Sequence, residues 1–179
     1  MNIQFLYYPG GKTKALTMSY DDGQIHDRRL VELFNQYGIK GTFHLNSACF
    51  SMEDIIDAAE VRTLYRGHEI SCHTRTHPYP TQISKDLMLE EILEDRRALE
   101  ALAGYPVRGM SYPFGDYDES VKAICRAAGM EYSRTCNNHG NFRLPTDFME
   151  WGATCHHNDK LMERLRQFQH DLPWNSRMP

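Results

Sequence analysis

Strand-like and helix-like runs alternate along this chain with short connections, and no other feature constrains its fold as much. Lys14 to Tyr20 (KALTMSY) reads as a strand that runs straight into Asp21-Asp22-Gly23. Leu30, Leu33, Phe34 and Tyr37 then share one helical face, and Gly38 is the expected stop. Gly41 to Leu45 is a second strand. A helix is expected from Ser51, with Asp54 closing a capping box, through Ile55, Ile56 and Ala59 to about Leu64. His68 to Cys72 (HEISC) is a third strand, and a long helix follows from Ser84 to Leu102, with Leu89, Ile92, Leu93, Leu99 and Leu102 on its apolar side. A short strand over Gly109 to Tyr112, a helix over Asp118 to Gly129 and a strand at Glu131 to Thr135 continue the pattern. Such alternation predicts a parallel β/α architecture.

No repeat, low-complexity tract or linker divides the 179 residues, so a single domain over 1–179 is expected. A net charge of -4 with no Lys/Arg block excludes the polycationic face that phosphate-backbone binding requires, so nucleic acid is not an expected partner. No run approaches the roughly 20 apolar residues of a membrane span. The start MNIQFLYYPGGKTK shows none of the features of a signal peptide, and a cytoplasmic location is the expectation for the sequence as given. Five cysteines without a CxxC pair read as reduced thiols.

The polar clusters fall at strand ends. In parallel β/α folds, the loops leaving the carboxyl ends of strands gather on one rim. Asp21 and Asp22 end the first strand, the segment His73-Thr-Arg-Thr-His77-Pro78 follows the third, and Tyr112-Pro113-Phe114-Gly115 ends the fourth. Pro78 disfavours helical backbone at His77, so the two histidines belong on a loop folding back toward the aspartates. Two imidazoles and one carboxylate form a catalytic three-ligand zinc set with an open fourth position, which leaves the second aspartate free to take a proton. Each cluster alone has a plainer reading, as a solvated turn or a surface histidine pair. Their order at successive strand ends is what favours a site.

That order resembles the polysaccharide deacetylases, carbohydrate esterase family four, over roughly Ala15 to Gly115, with a motif-bearing core reaching about 151. The stretch Leu16-Thr-Met-Ser-Tyr20-Asp21-Asp22 is similar to the family's Thr-Phe-Asp-Asp motif, and His73-Thr74-Arg-Thr-His77 matches its His-Ser/Thr-x-x-His. The resemblance implies a distorted (β/α) barrel of this type and a zinc or other divalent ion on Asp22, His73 and His77. It also implies that Asp21 is the general base and that the Phe114 backbone N–H is an oxyanion donor. Tyr112, Pro113 and Trp151 are implied to touch substrate, Trp151 through Asp147 to Trp151 (DFMEW), which is similar to the family's Asp-x-x-Asp-Trp with Glu150 in place of the second Asp. The implied reaction is removal of N-acetyl or O-acetyl groups from a carbohydrate; a non-sugar amide and a binding role for the metal site are the alternatives.

Two expected parts have no clear counterpart. Ser111 stands where many members carry an arginine, and Arg108 is either its displaced equivalent or an ordinary surface residue. The general acid of the family's Leu-x-His motif has three candidates, His156, His157 and His170. The ending Asp171 to Pro179 carries two prolines and no strand pattern, so the barrel is expected to be incomplete at its C-terminal end. The resulting open edge would suit a partner copy, hence an expected homo-oligomer.

Overall fold

A computed structural model describes residues 8–170, so the expectations about the first seven residues and about the ending from Asp171 lie outside the described residues. One compact unit comprises Thr17–Asn137 and Pro145–Gly152. It contains a sheet in the order β1-β2-β3-β4-β5-β6, formed by Met18–Asp21, Gly41–Leu45, Glu69–Cys72, Gly109–Ser111, Tyr132–Asn138 and Trp151–Ala153. The first five strands pair in parallel, with Asp21 opposite His44, His44 opposite Ser71, and Ser111 opposite Arg134. The parallel β/α architecture expected from the alternating pattern is present, and the sheet curls into a half-barrel of the (β/α) type that the resemblance implies, with Arg134 on β5 reaching Ser19 and Asp21 on β1.

Helices α1 (Asp27–Tyr37), α2 (Val61–Leu64), α3 (Lys85–Ala103) and α4 (Glu119–Ala127) lie between the strands in sequence. The α3 start is capped by Ser84, whose Oγ accepts the Leu87 N–H at 3.3 Å, and its end is closed by Gly104 at φ 80°, a conformation that a side chain resists. Asp118 caps α4 in the same way, accepting the Val121 N–H at 2.8 Å. β2 is buried along its whole length, and Phe43, Leu45, Ile70, Ile92, Leu99 and Met110 form the centre of the core. Gly109 on β4 is required by close approach, because a Cβ there would lie 2.1 Å from the Tyr132 ring.

The helix expected from Ser51 does not form there. Ser51 and Asp54 hold φ values of 65° and 62°, and the Ser51 hydroxyl bonds Asp57 instead of capping a helix. A short 3-10 turn at Ala58–Glu60 leads into α2, with the Glu60 carboxylate accepting the Asp57 N–H at 3.3 Å. Local hydrogen bonding by short polar side chains has displaced the helix start by several residues.

The other unit draws, among the described residues, on 8–16, Asn138–Leu144 and 153–170. Within it, α5 (Leu161–His170) presents Phe168 to Phe142 at 5.3 Å, and the Lys14 ammonium bonds the Phe168 carbonyl. Among the described residues, no helix is long and apolar enough to cross a membrane.

Candidate active site

β1 ends at Asp21, and the chain turns at once. Asp22 takes φ 73°, its N–H bonds the His44 carbonyl at 2.9 Å, and the two neighbouring carboxylates thereby leave the strand in different directions. Gly23 beneath them is tight: an added Cβ would sit 2.9 Å from Leu45.

After β3, the histidine loop is fixed from two sides. The Asn46 side-chain amide donates to the carbonyls of His73 and Thr74, while Glu91 on α3 accepts the Thr76 N–H and hydroxyl, both at 2.8 Å. Asp95, also on α3 and fully buried, accepts the N–H groups of Ser47 (2.8 Å) and His73 (3.1 Å). Burial raises the Asp95 pKa to about 7, and the bonds it accepts only partly oppose this. Thr74 and His77 adopt φ values of 62° and 59°, which bends the loop so that both imidazoles face the same point.

At that point three ligand atoms converge. His73 Nε2 and His77 Nε2 are 3.1 Å apart, and Asp22 Oδ1 lies 3.6 and 3.7 Å from them. Ligands held ~2 Å from a tetrahedral ion would be spaced by roughly 3.3 Å, so the donor set has the edge length of such a site. The Ser111 carbonyl lies 2.9 Å from His73 Nδ1 and can only accept, so the proton is on Nδ1 and Nε2 presents its lone pair inward. Burial also lowers the His73 pKa, favouring the neutral ligand form. One oxygen and two nitrogens in this geometry fit a divalent cation.

Asp21 stands beside this set in a different environment. Its Oδ1 accepts the Ser111 hydroxyl at 3.1 Å, and its Oδ2 accepts the Arg134 guanidinium. Burial alone would push its pKa up; the charges of His44, His73 and Arg134 and the Arg134 bond outweigh that and hold the carboxyl well below the usual range. Arg134 is steadied by the Ser19 hydroxyl at 2.9 Å. The same hydroxyl lies 2.9 Å from His44 Nε2, and burial lowers the His44 pKa to about 3, so this imidazole is neutral.

Arg108 does not reach this region. It ion-pairs with Glu131 at 3.1 Å on the surface, and the guanidinium on Asp21 comes from β5 instead. The register that sets Arg134 opposite Ser111 makes this exchange: the hydroxyl and the guanidinium meet the same carboxylate. Tyr112 is not available to a substrate. It is 1% exposed, its hydroxyl donates to the Met149 carbonyl at 2.9 Å, and its ring stacks on Tyr117. Pro113 is buried under the turn that carries Phe114 at φ 58°. The turn's bonds run from Gly115 N–H to the Tyr112 carbonyl and from Asp116 N–H to the Pro113 carbonyl, so neither uses the Phe114 N–H.

Half-buried Trp151 meets the Tyr132 and Phe148 rings edge-on at 5.9 and 5.3 Å. Its segment is anchored to α4 by Lys122, which bonds Asp147 at 3.0 Å and Glu150 at 3.1 Å. His156, His157 and His170 all lie in the other unit and are exposed. The first two rings are 4.3 Å apart, and His170 closes α5.

A sequence profile of polysaccharide deacetylases matches residues 9–133, more than two thirds of the chain. The chain belongs to the polysaccharide deacetylase family. Within it, a chitin deacetylase 2 of Cryptococcus neoformans var. grubii is 31% identical over 116 residues, covering 63% of this chain and 24% of the relative. A peptidoglycan-N-acetylglucosamine deacetylase of Bacillus cereus is 26% identical over 117 residues, covering 63% and 41%. This deacetylase-family chain thus spans less than half the length of either relative. The Streptococcus pyogenes deacetylase PplD, solved in complex with acetate, superposes with a TM-score of 0.80 at 17% identity, covering 91% of this chain and 73% of its own, and shares the fold.

Proposed function

We propose that this chain is a metal-dependent hydrolase that removes acetyl groups from a carbohydrate, most readily N-acetyl from an amino sugar. The observation that carries the reading is the pairing of a three-ligand cluster, Asp22, His73 and His77, with a separate carboxylate that an arginine keeps ionised. Asp22, His73 and His77 would hold zinc or another divalent cation, which when bound supplies Lewis-acid polarisation of the acetyl carbonyl and a more acidic water.

The remaining steps belong to the chain. Asp21 is charged at neutral pH and takes a proton from the attacking water, while Ser111 and Arg134 fix its two oxygens. His73 is kept in the correct tautomer by the Ser111 carbonyl. The Phe114 N–H donates to the oxyanion that develops on the acetyl carbon's oxygen. The proton needed by the leaving nitrogen is then on Asp21, and His156, His157 and His170 are the imidazole alternatives. Trp151 contributes an apolar wall.

Acetate release from chitin oligomers and a panel of acetylated glycans, with and without added zinc, tests the reading, alongside elemental analysis for about one ion per chain. Zinc-dependent acetate release supports it. Zinc binding without acetate from any glycan would replace it by a non-sugar amide substrate or a binding role. Alanine changes at the three histidines distinguish Asp21 alone from an imidazole acid, since loss of a general acid costs ~10² to 10⁴-fold.

A further inference from the structure

A second concave surface opens at the amino ends of the strands, away from Asp22, His73 and His77. It is a cavity of about 480 Å³ whose lining includes Arg62, Arg66, Gly67, His68 and Tyr105. That volume lies within the range of ligand pockets, roughly 300–1,000 Å³. Gly67 and His68 immediately precede β3 and His73 immediately follows it, so about 16 Å of extended chain separates the cavity from the ligand cluster.

Positive charge collects here, although the chain carries a net charge of -4. The Arg62 guanidinium lies 3.5 Å from where a Cβ on Gly104 would stand, and the Lys40 ammonium 3.3 Å from a Cβ on Gly67. Arg66, four residues after Arg62, lines the same cavity. Arginines on the neighbouring helices each hold a glutamate, Arg28 and Arg29 on α1 and Arg96 and Arg97 on α3. Among the described residues, Arg62, Arg66 and Lys40 hold no carboxylate and their side chains bond no carbonyl, so Arg62 does not serve as a cap for the end of α3. Their mutual repulsion is left unrelieved. His68 registers the field: burial, and then the Lys40 charge, lower its pKa. Its neutral ring is fixed by the Gly41 N–H on Nδ1 and by Asn35 Oδ1 on Nε2, both at 3.2 Å. The Tyr105 hydroxyl accepts the Ile70 N–H at 2.9 Å, which leaves its own proton to donate.

We propose that this cavity binds a small organic phosphate, at a site separate from the cluster of Asp22, His73 and His77. Guanidinium forks meet phosphate oxygens in pairs and an ammonium adds a point charge, so two arginines and a lysine suit a dianion. The cavity is larger than a phosphate group alone would fill, and Tyr105, 40% exposed, offers its ring to the group that carries the phosphate. The site does not depend on which bond the opposite rim cuts.

Calorimetric titration of the full chain at low ionic strength, with inorganic phosphate, glycerol phosphate and adenosine monophosphate, tests the site; glycerol and citrate are the controls. At least one organic phosphate should bind with a Kd below ~1 mM and more tightly than inorganic phosphate, and glycerol should not bind. Arg62→Gln and Arg66→Gln should each weaken that Kd about tenfold, and Lys40→Gln about threefold. Arg62→Lys keeps the charge but loses the fork, so its Kd should fall between those of the wild type and Arg62→Gln. Urea midpoints without ligand should match across these exposed substitutions, which separates lost binding from lost folding. Three results would each overturn the site: no organic phosphate bound at millimolar concentration, citrate or inorganic phosphate bound as tightly as the organic phosphates, or an unchanged Kd when Arg62→Gln and Arg66→Gln are combined.

Discussion

The half-barrel holds two clusters in which a cation meets carboxylate, and they are built on opposite plans. Asp21 and Arg134 belong to β1 and β5, far apart in sequence, and Asp21 has that one guanidinium and one hydroxyl as its side-chain donors. Lys122 on α4 bonds three carboxylates, those of Glu119, Asp147 and Glu150, at 2.7–3.1 Å, and Glu119 is 85% exposed. The first arrangement has no duplicate member, so each group sets the geometry of the next. The second is redundant and local, and it anchors the segment leading to Trp151. In the second a lost member leaves others to hold the tie, and in the first it does not.

The largest predicted contrast is in rate. Asp21→Asn should lower acetate release by ~10² to 10⁴-fold while metal content stays unchanged. Lys122→Met should change the same rate by less than about tenfold; similar losses in the two variants would erase the distinction. Next, Arg134→Gln leaves Asp21 charged and without its cation in a partly buried site, and should cost about 3 kcal/mol in urea denaturation.

A buried carboxylate near the first cluster sharpens the comparison because it bonds no cation among the described residues. Asp27 accepts the Tyr65 hydroxyl at 2.7 Å, and burial raises its pKa to about 6, against the opposing effect of that bond. The folded state therefore binds a proton more readily than the unfolded chain, and stability should fall as pH rises from roughly 4 to 6, by about 2 kcal/mol. Asp27→Asn should remove that part of the slope, which urea midpoints at pH 4.5 and 7 would show. The smallest effects belong to the redundant cluster. Lys122→Met should cost about 1–2 kcal/mol by leaving carboxylates facing one another, and Glu119→Gln less than about 0.5 kcal/mol, since an exposed pair contributes little.

Locally encoded features were legible. β2 occupies the five residues expected of it, α3 starts one residue after its Ser84 cap, and Asp22, His73 and His77 meet because successive strand ends of a parallel sheet share a rim. Arg134 was not legible, because it depends on curl and register: nothing in Glu131 to Thr135 tells that the strand's inward face meets β1 across the half-barrel. A charged residue on the strand face shared with Tyr132 was the available signal. Of the two readings of Arg108, the structure shows the surface one, as closeness in sequence to the Pro113 turn did not bring it close to Asp21 in space. Tyr112 shows the converse, a motif position taken up by the core. Ser51 was misread because a capping pattern is also what a hydrogen-bonded loop of short polar residues looks like.

Asp22, Thr74, His77 and Phe114 all have φ between 58° and 73°, where glycine would be more comfortable. This shapes what selection can do with the chain. A directed-evolution campaign rewarding heat tolerance alone would relieve backbone strain by admitting glycine at such positions, and would in doing so discard two proposed ligands, Asp22 and His77. Thermostability and activity therefore pull in opposite directions on this rim, and a library meant to keep both must hold these four residues constant and seek its gains elsewhere, on the helices behind the sheet.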